Sequence, residues 1–156
     1  DENECKALQA LHDTGFNSPL CSSVGRLFDI AGFILGLERL SYEAQSGELI
    51  ASNTLKLAYD ILTHKNQTID YNALMQTFSN MPYNPYPFHI TQNMIDMSEC
   101  IETMLKDKQT GKNSDMIAAR FIDTLAYCIL ESLKYIGTDY AFLVAVYLQI
   151  TPFAYG

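Results

Sequence analysis

Ser22-Ser23-Val24-Gly25-Arg26-Leu27-Phe28-Asp29, then Ile30-Ala31-Gly32-Phe33-Ile34-Leu35-Gly36-Leu37, leads through residues 38 to 41 into Tyr42-Glu43-Ala44-Gln45. The spacing of Leu27, Phe28, Ile30, Ala31, Phe33, Ile34, Leu35 and Leu37 predicts a helix buried on most of its circumference. Gly36 stands where a C-terminal glycine ends such a helix. A second helical pattern opens after Tyr42, so the stretch reads as a helix, a turn and another helix packed as a short antiparallel pair.

Chemistry-bearing side chains collect at the two ends of this unit. Ser22, Ser23 and Gly25 form a small-residue turn at the helix start, where serine hydroxyls can cap backbone N–H groups. The same N–H groups, with the positive end of the helix dipole, can instead hold an anion. Arg26 and Asp29 are i and i+3 and share a face. They read either as an intrahelical ion pair or as a grip on a ligand, the guanidinium on a phosphate or carbonyl oxygen and the carboxylate on a sugar hydroxyl. Glu43 and Gln45 fall in the connecting turn, near enough to face the Ser22 turn, although Glu43 also suits the first turn of the next helix.

Outward from this pair the chain is mainly helical. Residues 2 to 14 predict a helix with Cys5, Leu8 and Leu11 on one side, stopped by Gly15, and residues 17 to 19 a turn. Residues 44 to 62 carry Leu49, Ile50, Leu55, Leu57, Ala58, Ile61 and Leu62 at helical spacing, broken by residues 64 to 67. Asp70 is placed to cap a short helix over residues 70 to 80. Pro82, Pro85 and Pro87 exclude a helix there, so residues 86 to 90 are expected as an extended edge segment. Asp96 or Ser98 caps a helix over residues 99 to 106, residues 106 to 112 read as a solvated loop, and the clearest helix runs from about residue 115 to 136, ended by Gly137.

Composition limits the function classes. With 156 residues, of which 48% are hydrophobic, the chain can bury a core of one domain. Eighteen acidic against ten basic residues, a net charge of -8, leave no concentrated basic surface for nucleic acid. No apolar run reaches the roughly 20 residues of a membrane span, and no leader opens the sequence, so a cytoplasmic protein is expected. Cys5, Cys21, Cys100 and Cys128 lack metal-type spacing, and His12, His64 and His89 stand apart. Cys128 reads as a buried reduced thiol; Cys21, beside the serine turn, is read as inert against the alternative of activation by the helix dipole. Asn66-Gln67-Thr68 fits a glycosylation sequon without meaning in a cytoplasmic setting.

The residues 22 to 29, Leu35-Gly36-Leu37 and Tyr42-Glu43-Ala44-Gln45 together resemble the C-terminal domain of the HypF family of hydrogenase maturation carbamoyltransferases. Tyr86-Pro87-Phe88, Ile95-Asp96, Ile117-Ala118-Ala119-Arg120-Phe121 and Thr124-Leu125-Ala126 are similar to later family segments in the same order. The resemblance implies the helical portion of an actin-like ATPase lobe of the Kae1/TsaD type, mainly α with few short strands. It implies one domain over residues 1 to 156, a piece of a larger enzyme and inactive alone. That enzyme makes carbamoyl adenylate from carbamoyl phosphate and ATP and passes the carbamoyl group to the C-terminal cysteine of a HypE-like partner, where it becomes a cyanide ligand of [NiFe]-hydrogenase. By position, the resemblance makes Asp29 the ribose contact and Glu43 to Gln45 the turn over the sugar. Arg26, where Kae1-type relatives have glutamate, is assigned to the carbamoyl or phosphate end, beside Ser22, Ser23 and Gly25. A non-catalytic helical interaction module, docking a partner through the acidic surface, remains the other class; a divergent nucleotide domain using residues 22 to 25 alone as its phosphate loop is a third.

Departures from the family pattern are equally specific. Ala44 stands where the family usually has glycine, and Ile122-Asp123 where it has His-Asn. The family's metal-binding histidine motif would lie upstream of Asp1, so metal is expected in the parent enzyme only. The Gly-Gly-Val-Phe-x-Asn phosphate loop is replaced by residues 144 to 150, and a one-base shift through codons for that loop would read Ala-Val-Tyr-Leu-Gln, the residues 145 to 149. Residues 144 to 156 are therefore expected to be an aberrant tail. Residues 140 to 148 read as a strand too apolar for an exposed edge, expected to fold back on the helices or to form a homodimer. Elemental analysis of the purified chain is expected to find no stoichiometric iron or zinc; one tightly held metal per chain would overturn the histidine reading.

Overall fold

The computed structural model describes residues 1–16, 21–65, 68–80, 84–91 and 94–137. Helix α1 (Glu2–Thr14) begins with Asp1 and Glu4 in a reciprocal capping box and stops at left-handed Gly15, as its pattern predicts. It buries no residue, because its apolar side is only Cys5, Leu8 and Leu11 among charged neighbours. α2 (Val24–Leu35) ends at left-handed Gly36, and α3 (Gln45–His64) follows. α4 (Tyr71–Ser79) starts with Ala73 N–H donating to Asp70 Oδ1 at 2.8 Å. Strands β1 (His89–Ile90) and β2 (Ile95–Asp96) form a short antiparallel hairpin, Ile90 opposite Ile95. α5 (Ser98–Gln109) and α6 (Ser114–Ile136), closed by left-handed Gly137, complete the described elements. The architecture is mainly α with two short strands.

α6 lies against α2, α3 and α5, and the core sits among them. Ile50, Met104, Ile117 and Phe121 are sealed from water, and Phe28 meets Phe121 edge-on with ring centroids 5.5 Å apart. Burial raises the Cys100 thiol to about 12, with Cys128 adding to it, and the Cys128 thiol to about 11. Both therefore stay protonated and unreactive. α2 and α3 approach most closely at Gly32, where an added Cβ would stand 2.8 Å from Ser46 Cβ. Among the described residues no helix is long and apolar enough to cross a membrane.

One segment departs from its expectation. Helix α5 runs on to Gln109, into the first half of the stretch read as a solvated loop, and Asp107 on its last turn is buried. A carboxylate can be buried there because three partners converge on it. Asp107 Oδ1 accepts from Lys112 Nζ at 2.6 Å; Oδ2 accepts from Tyr86 Oη at 3.1 Å and Arg120 Nη1 at 3.2 Å. Arg120 also stacks 3.9 Å over the Tyr86 ring and donates through Nε to the Asn84 carbonyl at 2.7 Å. Thr124 Oγ1 receives the Tyr86 N–H at 2.8 Å. The proline-rich segment, which makes no helix of its own, is thus tied to α5 and α6 through side chains.

Burial works against the Asp107 charge, but the Lys112 and Tyr86 hydrogen bonds and the Lys112 and Arg120 charges outweigh it and hold the carboxyl below the usual carboxylate range. A depressed pKa stabilises the fold above the unfolded value near 3.9, and that stability is lost as pH falls through the folded pKa below it. Asp107→Asn is expected to cost about 1–3 kcal/mol at neutral pH, since it leaves partly buried Arg120 and the Tyr86 hydroxyl without their charged acceptor, while exposed Lys112 is resolvated. It is also expected to flatten the loss of stability below about pH 4. Urea midpoints across this range check both; an unchanged acid limb would show that another group carries it.

Candidate functional site

At the start of α2, Ser23 holds the N-cap position in an extended conformation, but its hydroxyl makes no capping bond. No acidic residue lies in the first turn. The positive end of the helix therefore lacks the internal acceptor that capping would supply, a state suited to an external anion. Ser22, Ser23, Gly25 and Arg26 are all exposed there. A Cβ at Gly25 would come within 3.3 Å of Ser23 Oγ, so glycine leaves that hydroxyl room. Exposed Cys21 turns its Sγ to the Ser23 N–H at 3.4 Å.

Asp29 is one turn further in and is largely covered. Its Oδ1 accepts from Ser46 Oγ of α3 at 2.7 Å. Oδ2 lies 2.7 Å from Arg26 Nη1, yet it is buried and no N–H or O–H points at it with hydrogen-bond geometry. The charges are close enough to attract, but the guanidinium is not aimed for a directed bond. The Arg26 side chain is 66% exposed against 21% for Asp29, so the cation lies on the solvent side of a largely covered carboxylate.

The turn from Ser41 to Gln45 closes on itself: Gln45 Oε1 accepts from Ser41 N–H at 2.6 Å, and Tyr42 Oη donates to Glu48 Oε2 at 2.7 Å. Glu43 is exposed. The residue that this turn delivers to Asp29 is Ser46, which the sequence reading did not single out. The signal was available, because Gly32 faces Ser46 and Gly47 faces Phe28, and small residues on both helices are what a close crossing needs. Arg120 and Thr124, quoted above only for their resemblance, belong to the Tyr86 and Asp107 network instead. Ile122 packs on the core, and burial raises the carboxyl of half-buried Asp123.

A cavity of about 510 Å³, lined by Tyr86, Phe88, Ile90 and Tyr127 among others, lies elsewhere, and none of the residues 22 to 45 lines it. Among the described residues no three His, Cys, Asp or Glu side chains are grouped as a metal site requires. A family model described as carbamoyltransferase, Kae1-like domain, second subdomain, matches residues 1–146. The chain belongs to this Kae1-like carbamoyltransferase family. A search of curated proteins finds no match, and a search of solved structures finds none.

Within the Kae1-like carbamoyltransferase family pattern, the Ala44 departure now acquires a physical meaning. Ala44 caps α3 with φ +67°, the one left-handed residue other than glycine among those described. An alanine Cβ in that conformation collides with the following carbonyl, at a cost of about 1–2 kcal/mol that glycine avoids. Ala44→Gly is expected to raise stability by about 0.5–1 kcal/mol after the greater freedom of glycine in the unfolded chain is counted. That is a melting shift of about 1–4 °C, measurable by calorimetry, and a lower melting temperature would show that the turn relaxes without it.

Proposed function

We propose that this chain forms one wall of the carbamoyl-adenylate site of a HypF-like carbamoyltransferase, which uses carbamoyl phosphate and ATP and delivers the carbamoyl group to the C-terminal cysteine of a HypE-like protein. Family membership and the residue 22 to 45 motifs support the reaction class. The single observation that carries the site is the Asp29 carboxylate, buried, oriented by Ser46 on one oxygen and lacking a directed donor on the other. A ribose hydroxyl is the right donor for that oxygen, once the exposed Arg26 swings aside. Arg26 is then free to meet the carbamoyl or phosphate oxygens near the uncapped start of α2, where Ser22, Ser23 and Gly25 lie. Glu43 and Gln45 are assigned to the turn over the sugar.

ATP or carbamoyl adenylate brings the acyl-transfer chemistry; these residues bind and orient it. The chain is proposed to be inactive alone, with metal confined to the parent enzyme. Titration calorimetry with ATP or a stable carbamoyl-adenylate mimic is expected to show binding that Asp29→Ala weakens about 10–100-fold, the loss of one hydrogen bond to a charged group. In the full-length enzyme, Arg26→Ala and Asp29→Ala are expected to lower carbamoyl transfer far more than melting temperature. Absence of binding at millimolar ligand, or variants that melt several degrees lower with normal turnover, would make the pair structural and the chain an interaction module.

A further inference from the structure

The two oxygens of Asp29 are not equivalent. Oδ1 accepts the Ser46 hydroxyl at 2.7 Å, whereas buried Oδ2 lacks a directed donor among the described residues. Ser46 is 1% exposed and packed against Gly32 of α2, where an added Cβ would stand 2.8 Å from its own, so the bond to Oδ1 lies within the crossing of α2 and α3. On the reading of Asp29 as the sugar contact, we infer that Ser46 is a specificity-determining residue. By taking Oδ1 it leaves Oδ2 alone for the ligand, so the site reads one of the two ribose hydroxyls and tolerates the loss of the other.

A carboxylate whose oxygens both face a ligand can take one hydroxyl of a vicinal diol on each. Here the first oxygen is engaged from α3, and a serine hydroxyl carries a single proton, so Ser46 cannot serve Oδ2 as well. The ligand arrives from the other side, past the exposed Arg26 guanidinium 2.7 Å from Oδ2. Burial makes the two sugar hydroxyls unequal in energy. Oδ2 is shut off from water and without a donor, so a hydroxyl that reaches it relieves a full desolvation penalty. The second hydroxyl meets no such acceptor. Glu43 is exposed and would only exchange a bond to water for a bond to the ligand, and the Tyr42 hydroxyl already donates to Glu48 at 2.7 Å.

Titration calorimetry of the whole chain with ATP, 2′-deoxy-ATP and 3′-deoxy-ATP tests the inference. One deoxy analogue is expected to bind within about twofold of ATP and the other about 10–100-fold more weakly, the loss of one hydrogen bond to a charged group. Ser46→Ala, which removes only the hydroxyl, is expected to open Oδ1 to the diol, so that the tolerated analogue also falls about 10-fold behind ATP. Equal weakening of both analogues would overturn the inference while the nucleotide wall stands. Both analogues matching ATP would overturn it by removing the sugar from Asp29, and no binding of ATP at millimolar concentration would overturn the wall itself and the inference with it. A Ser46→Ala chain that keeps the parent's preference would overturn the role of Ser46; if that variant misfolds, the three-nucleotide comparison on the parent still decides whether one hydroxyl is read.

Discussion

The buried Asp107 carboxylate is the constraint on which the rest of the packing depends. Its ring of Lys112, Tyr86 and Arg120 joins the end of α5, the α5–α6 turn, the proline-rich segment and the middle of α6. Proline and the absence of a helical period leave residues 84 to 88 without backbone order of their own, so only side chains can locate them. With that segment held, Tyr86 closes one side of the core and Phe121, next to Arg120 on α6, reaches Phe28 of α2. The position of α2, and with it Asp29, is inherited from this anchoring through the core.

A second contact fixes the site locally. The Gly32 approach brings α3 close enough for Ser46 Oγ to reach Asp29, so the carboxylate is oriented by a neighbouring helix as well as by its own. The outer oxygen faces Arg26, an exposed cation 2.7 Å away. A carboxylate oriented by Ser46 from a neighbouring helix is more than an intrahelical ion pair needs, since such a pair contributes only a few tenths of a kcal/mol.

Helix existence was legible wherever an apolar period met a cap: α1 from Gly15, α2 from Gly36, α4 from Asp70, α6 from Gly137, while the Asp1–Glu4 capping box of α1 went unread. The α5 boundary was not, because Lys106-Asp107-Lys108 reads as solvent-loving and nothing local reveals that Asp107 has cationic and phenolic partners waiting 5, 13 and 21 residues away. Ser46 was foreshadowed only by the small residues at the crossing of α2 and α3, and its bond to Asp29 exists only once the two helices meet. Ser23 was correctly placed at the helix start, but its unmade capping bond depends on a rotamer that spacing cannot report. The Asn17 turn, the Asn66-Gln67 break, Pro82 and the strand and altered tail beyond Gly137 lie outside the described residues.

That Asp29 and the start of α2 form the nucleotide wall is tested most directly by an amide chemical-shift map on titration with ATP. The largest shifts are expected at Ser23, Gly25, Arg26, Asp29 and Ser46, with the Asp107 network silent. Shifts confined to the cavity lined by Phe88 and Tyr127, or none at millimolar nucleotide, would contradict it.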